Sequence, residues 1–233
     1  MNPRFKINDH FERVEQDLVD QLRQYPAANI GDVLNRVACI SGQLKPLNTH
    51  RLCGRAYTVK TVPGDNLILY YAIDNAQPGD ILVIDGGGYD RRALCGEIMI
   101  SYAVKKKIGG IVVDGAIRDA EALRKMPIPI YAAHISPNGP YKNGPGEINV
   151  PVVIDGIVVN PGEVLVGDED GIVVIKPDEV QDVLDAVEKV EEKETHILQK
   201  IHEQGILEMQ WMYDVLDKND ITYEGGNKDG RHI

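Results

Sequence analysis

The stretch from Asp80 to Asp119 constrains this chain more than any other. Ile81-Leu82-Val83-Ile84 is a short unbroken apolar run, the pattern of a strand buried on both faces. Gly86-Gly87-Gly88 follows and predicts the end of that strand. A helix fits from about Gly96 to Lys107, with Ile98, Met99, Tyr102 and Ala103 at helical spacing. Lys105, Lys106 and Lys107 fall in its last turn, where cations suit the helix dipole. Gly109-Gly110 stops it, Ile111-Val112-Val113 is a second buried run, and Gly115 closes that run. The unit is β-α-β, and a crossover helix leaves its two strands parallel.

Parallel strands send their outgoing loops to one edge of the sheet, where open α/β sheets bind ligands. The helix start at Gly96-Glu97-Ile98-Met99 and the segment Gly115 to Asp119 therefore face one crevice. Helix N-termini attract anions, Arg118 can clamp a carboxylate with two bonds, and Asp119 can hold a hard divalent cation. The expected ligand is a small acid with a metal beside it. Asp119 could also be only the N-cap of a short helix from Ala120 to Lys125.

Composition sets the outer limits. A chain of 233 residues buries roughly 70–75% of its unfolded surface and needs no disulfide or metal staple. The net charge of −11 argues against a nucleic-acid partner, which needs a basic face. Cys39, Cys53 and Cys95 are odd in number without CxxC spacing, as reduced thiols of a cytoplasmic protein would be. The first residues have no apolar core for a signal peptide, and no run reaches the ~20 apolar residues of a membrane span.

Gly96-Glu97-Ile98-Met99, then Arg118-Asp119 after twenty intervening residues from Glu97, resembles the acidic-x20-Arg-Asp motif of the 4-hydroxy-4-methyl-2-oxoglutarate aldolase family. That family also holds the proteins like the regulator of ribonuclease activity A (RraA-like). The likeness runs from about Ala28 to Val187 and includes Gly54 to Val59, Pro63-Gly64-Asp65-Asn66, Pro78-Gly79-Asp80 and Gly167 to Gly171. It implies a swivelling β/β/α fold, one α/β domain over 1–233 with a C-terminal helical arm from about 178. It also implies homotrimers or hexamers with active sites between subunits. The implied activity is a divalent-metal-dependent (class II) lyase releasing pyruvate from a 4-hydroxy-2-oxo dicarboxylate, with oxaloacetate decarboxylation beside it. Mg²⁺ or Mn²⁺ would sit on Asp119, Arg118 would steady the enolate, and the N–H groups of Gly96 to Met99 would hold the carboxylate. Glu97 would serve as base where the family pattern commonly has Asp, one methylene shorter. A non-catalytic regulator of a ribonuclease or other protein is the alternative.

Other candidates have plainer readings. Lys60 could be a Schiff-base nucleophile if buried, or a strand-edge lysine. The glycine triplet lacks the endings of nucleotide loops. Asp90, Arg91 and Arg92 could touch substrate or be solvated loop charge, and His134 could be an acid or a strand-end histidine. Asn29 and Asp32 read as capping or surface groups. Gly167 to Gly171 imitates part of a calcium loop but reads as a tight acidic turn. Helices are expected over Phe11 to Tyr25, Ile30 to Val37, Leu67 to Asn75 and from Pro177-Asp178 onward, where His196 and His202 do not share a face. Strands are expected over Ala56 to Val62, Ile128 to Ala132, Val164 to Val166 and Ile172 to Ile175. Val150 to Ile154 and Ile157 to Val159 form a hairpin around Asp155-Gly156. His134 to Glu147 is expected as loop. Trp211 and Tyr213 in an amphipathic segment, Ile206 to Leu216, suit a subunit interface.

Overall fold

The computed structural model describes residues 5–40 and 42–219. The glycine-rich tail from Gly225, whose composition predicts flexibility, lies outside them. The chain separates into two compact units, Met1–Lys189 and Val190–Ile233.

The first unit runs β1 (Lys6–Ile7), α1 (Gln16–Leu22), α2 (Ala27–Val33), β2 (Cys39–Ile40), β3 (Lys45–Pro46), β4 (Leu52–Thr61), α3 (Leu67–Asn75), β5 (Ile81–Cys95), α4 (Glu97–Lys105), β6 (Gly110–Ile117), α5 (Ala120–Leu123) and β7 (Ile130–Ile135). It continues through β8 (Gly146–Ile148), β9 (Val152–Ile154), β10 (Ile157–Val159), β11 (Val164–Gly167), β12 (Ile172–Ile175) and the start of α6 (Val180–Gln204). The architecture is mixed α/β on a central sheet ordered β2-β12-β11-β4-β5-β6-β7-β3. Its middle, β4-β5-β6-β7, is parallel.

Each parallel strand is apolar at successive positions because both of its faces are covered. Ile81 to Ile84 are at most 2% exposed. Leu82, Ile84 and Val113 pack with Ile68, Leu69, Met99 and Ile100 of α3 and α4. Val83 and Val112 face the other way, against Val152, Ile154 and Val159 of the β9–β10 hairpin. That hairpin closes with Ile154 opposite Ile157.

Several boundaries differ from the sequence expectation, each for a visible reason. β5 does not end at the glycine triplet. Gly87 and Gly88 take φ of 66° and 64° and form a bulge. The pairing jumps from Asp85↔Asp114 to Tyr89↔Gly115, and the strand rejoins β6 as far as Cys95↔Ile117. The helix expected from Phe11 starts only at Gln16. The Val14 carbonyl accepts from Arg55 Nε at 2.8 Å instead of from a helical N–H, and Arg13 reaches out to Asp80 with two bonds of 2.7 and 3.0 Å. The second helix is Ala27–Val33 rather than Ile30 to Val37, because Asn35 and Arg36 turn to positive φ. His134 belongs to β7, beside Ala116, and not to a loop. Asp168 caps α2 through the Ala27 N–H at 2.9 Å and accepts from Asp170 N, so the acidic turn is a structural device.

The second unit holds the rest of α6 and α7 (Gln210–Lys218), tied by a 2.7 Å ion pair between Lys200 and Glu208. Leu198, Ile206, Leu207, Trp211 and Val215 are all exposed on it. No helix among the described residues is long and apolar enough to cross a membrane.

Candidate active site

β6 runs on to Ile117, so Arg118 and Asp119 leave the sheet at its carboxyl edge. Arg118 is pinned there by its N–H, which donates to the Cys95 carbonyl at the end of β5. Asp119 occupies the N-cap position of α5 but makes no side-chain cap there. Its backbone is left-handed, φ 60° and ψ 34°, a conformation that aspartate tolerates better than most residues. That turn aims the carboxylate back at α4, where Oδ2 accepts the Glu97 N–H at 3.0 Å. Asp119 thus caps the other helix. Its Oδ2 also lies 3.7 Å from Arg118 Nε. Gly96 permits this closeness: a Cβ there would stand 2.5 Å from Asp119 Oδ2 and 2.8 Å from Arg118 Cγ.

Beside this junction is a cavity of about 130 Å³ lined by Asn66, Tyr70, Gly96, Met99, Arg118 and Lys142, among others. With roughly 30 Å³ per water, it has the scale of a small organic acid. The sequence had pointed to Gly96, Ile98, Met99 and Arg118, all of which line it. It had not pointed to Asn66, Tyr70 or Lys142. Asn66 Nδ2 donates to the Leu94 carbonyl at 2.8 Å and contacts Met99 Sδ at 3.1 Å, tying the end of β5 to the first turn of α4. The one signal for it is Pro63-Gly64-Asp65-Asn66, which enters the family likeness without a role for Asn66.

The model of the RraA-like family, described as Aldolase/RraA, matches residues 17–174. The chain belongs to that family. A Halalkalibacterium halodurans protein, provisionally assigned as a 4-hydroxy-4-methyl-2-oxoglutarate aldolase, is 37% identical over 76% of this chain and 85% of its own length. The Thermus thermophilus protein named 4-hydroxy-4-methyl-2-oxoglutarate aldolase is 38% identical over 54% of this chain and 76% of its own. Among solved structures, RraAS2 of Streptomyces coelicolor, described as an unusual member of the RNase ES inhibitor RraA protein family, superposes with a TM-score of 0.74. It is 28% identical over 80% of this chain and 98% of that one.

In this RraA-like chain several candidates stand apart from the cavity. Glu97 gives its N–H to Asp119, but its carboxylate is exposed and not in the lining. Lys60 is exposed between Asp85 and Glu147 on the neighbouring strands, so the burial that would make it a Schiff-base amine is missing. Arg92 is structural: it donates to the Gly139 carbonyl and the Tyr141 hydroxyl at 2.9 and 3.0 Å. Arg91 is exposed and pairs loosely with Asp90 at 4.0 Å. Strand alternation puts Asp85 and Asp114 on the sheet face away from α4. Burial first, then the Asp85 and Asp155 carboxylates, raise the Asp114 carboxyl above the usual range. Cys95 lines the cavity, yet burial pushes its thiol up to about 12, which keeps it protonated and inert. A larger groove of about 740 Å³ lies along α2, the β9–β10 hairpin and the start of α6. Its walls are mainly aliphatic, and its Lys176 and Glu179 are already paired at 2.9 Å.

Proposed function

We propose that this protein is a divalent-metal-dependent lyase that cleaves a 4-hydroxy-2-oxo dicarboxylate such as 4-hydroxy-4-methyl-2-oxoglutarate to pyruvate. The observation that carries this is the junction of Arg118, Asp119 and the α4 N-terminus, with Arg118 and Gly96 in the cavity lining and Asp119 in the adjoining pocket at the start of α5, and the names of the relatives point the same way. The donor set suits Mg²⁺ or Mn²⁺. Asp119 is 42% exposed at its side chain, and its Oδ1 has no hydrogen bond among the described residues, so one oxygen is left for a cation. No group of three or more His, Cys, Asp or Glu gathers as a cation cage among those residues. Mg²⁺ usually binds through one or two carboxylates and keeps several waters.

When bound, such an ion polarises the 2-oxo group of the substrate. The N–H groups at the start of α4 other than that of Glu97, which Asp119 takes, and the guanidinium of Arg118 hold the adjoining carboxylate. The 4-hydroxyl proton leaves to Glu97 through water, since the exposed carboxylate stands outside the cavity. The C3–C4 bond then breaks, C4 becomes a carbonyl, and the electron pair moves to C3 and the 2-oxo oxygen as an enolate. Arg118 stabilises that charge as it develops, and protonation at C3 completes pyruvate. Oxaloacetate decarboxylation passes through the same enolate, with CO₂ leaving instead of a carbonyl product. The test is cleavage of 4-hydroxy-4-methyl-2-oxoglutarate before and after EDTA. Loss on chelation and return with Mg²⁺ or Mn²⁺ is expected. No turnover of either oxo acid with metal present would leave the ribonuclease-regulator reading in its place.

We further place this enzyme in the cytoplasm, because Cys39, Cys53 and Cys95 are unpaired, and we propose that it works as a homotrimer or hexamer. The exposed apolar side chains of the C-terminal unit, beyond the residues matched to the family, support assembly. Light scattering should give at least three times the 25.8 kDa chain mass. A monomer at micromolar concentration would remove the shared site.

A further inference from the structure

We propose that Lys142 is a second anion-binding group of this cavity, one that selects 2-oxo acids with a distal carboxylate over those without one. The idea rests on the lyase reading for the kind of ligand, but not on turnover. Lys142 and Arg118 line the same cavity from two different segments. Among the described residues Arg118 pairs with one acidic neighbour, Asp119. Lys142 has no acidic partner among the described residues; its Nζ stands 5.1 Å from the centre of the Tyr70 ring. Lys142 is exposed, so an ammonium held near an aromatic face with no carboxylate partner among the described residues is open to an anion entering from solvent. In a chain of net charge −11, two cations beside one cavity of about 130 Å³ make a local positive field against the trend of the molecule.

The backbone around Lys142 is fixed in place. Asp65, 3% exposed, accepts the Asn143 N–H at 2.6 Å and the Leu67 N–H at 2.9 Å. Tyr141 N–H donates to the Gly64 carbonyl, and the Tyr141 carbonyl accepts from Asn66 N–H. Arg92 stacks 4.2 Å from the Tyr141 ring centre and bonds its hydroxyl. The residues on both sides of Lys142 are therefore tied to the same turn that supplies Asn66. Such preorganisation lowers the ordering cost of binding. The two cations also differ in kind. Arginine's planar fork suits the carboxylate beside the reacting 2-oxo group, where geometry matters. Lysine's compact charge suits a remote carboxylate that only needs a counter-ion.

The test compares 2-oxoglutarate with 2-oxopentanoate by titration calorimetry in Mg²⁺. The two have the same carbon chain and differ only in a terminal carboxylate or methyl group, and neither carries the hydroxyl needed for cleavage. The wild type should prefer 2-oxoglutarate by roughly tenfold or more, the scale of one hydrogen bond to a charged group. Lys142→Met should bring the ratio of dissociation constants to about one by weakening 2-oxoglutarate alone, and Lys142→Arg should restore most of the preference. Equal loss for both ligands, no loss for either, or a wild type without preference would each overturn the proposal. The preference with no carbon–carbon cleavage by the wild type supports the Lys142 site while removing the lyase reading. Cleavage with an unmoved ratio in Lys142→Met does the reverse.

Discussion

Replacing Arg118 by lysine is expected to lower kcat/KM on 4-hydroxy-4-methyl-2-oxoglutarate by roughly 10²-fold or more, the scale of losing one oxyanion donor. The charge survives this change, so a purely electrostatic role would be nearly preserved. The fork does not survive. Arg118 Nε faces Asp119 at 3.7 Å, and the rest of the guanidinium has no hydrogen-bond acceptor among the described residues. Lysine has a single ammonium and must choose between Asp119 and the ligand. Since Arg118 is about two-fifths exposed, the substitution should leave the thermal midpoint nearly unchanged. Steady-state kinetics and a melting curve on the same preparation check both halves. Near-normal turnover would take Arg118 out of the mechanism, and a large drop in stability would make the kinetic loss uninformative about chemistry.

The parts of the site legible in the sequence were those set by local pattern. Ile81 to Ile84 and Ile111 to Val113 are continuous apolar runs because both sheet faces are covered, and the crossover helix between them fixed which ends meet. That was enough to bring Gly96 to Met99 against Arg118 and Asp119. Pattern did not carry the direction of individual groups. Asp119 reads as a cap of the helix that follows it, yet its left-handed backbone turns the carboxylate to the helix before it in space. Glu97 meets Asp119 through its N–H while its carboxylate stays exposed, a distinction that spacing cannot make. Asn66 and Lys142 reach the cavity through contacts such as Asp65 with Asn143, 78 residues apart in the chain, which leave no periodic trace. The same holds for the shortened first helix, whose Val14 carbonyl is claimed by Arg55, 41 residues on. Gly86-Gly87-Gly88 reads as the end of a strand and is instead a bulge within a pair, because the two share one glycine signature.

Asp119→Asn separates the metal role from the structural one, because the amide preserves what Asp119 does for the fold. Asparagine adopts the left-handed backbone readily, and its carbonyl oxygen can still accept the Glu97 N–H. The helix start loses an anion, an effect of about 0.3–1 kcal/mol at an exposed site, so the folded protein should persist with a small drop in melting temperature. What is lost is the charge. Asp119 supplies the carboxylate that faces Arg118 at this junction, and a neutral amide binds a divalent cation far more weakly. If metal chemistry supplies several kcal/mol to the transition state, and each 1.36 kcal/mol is tenfold in rate, the loss should be on the order of 10³-fold. It should appear equally in aldol cleavage and in oxaloacetate decarboxylation, which share the pyruvate enolate. Excess Mg²⁺ or Mn²⁺ should restore EDTA-treated wild type but not this variant. Cleavage that survives both Asp119→Asn and EDTA would defeat the metal mechanism, and borohydride trapping on Lys60 would then have to succeed against that residue's exposed, acid-flanked position. Loss of cleavage with decarboxylation intact would instead confine Asp119 to removal of the 4-hydroxyl proton, the one step that decarboxylation lacks, since both reactions break a C3–C4 bond.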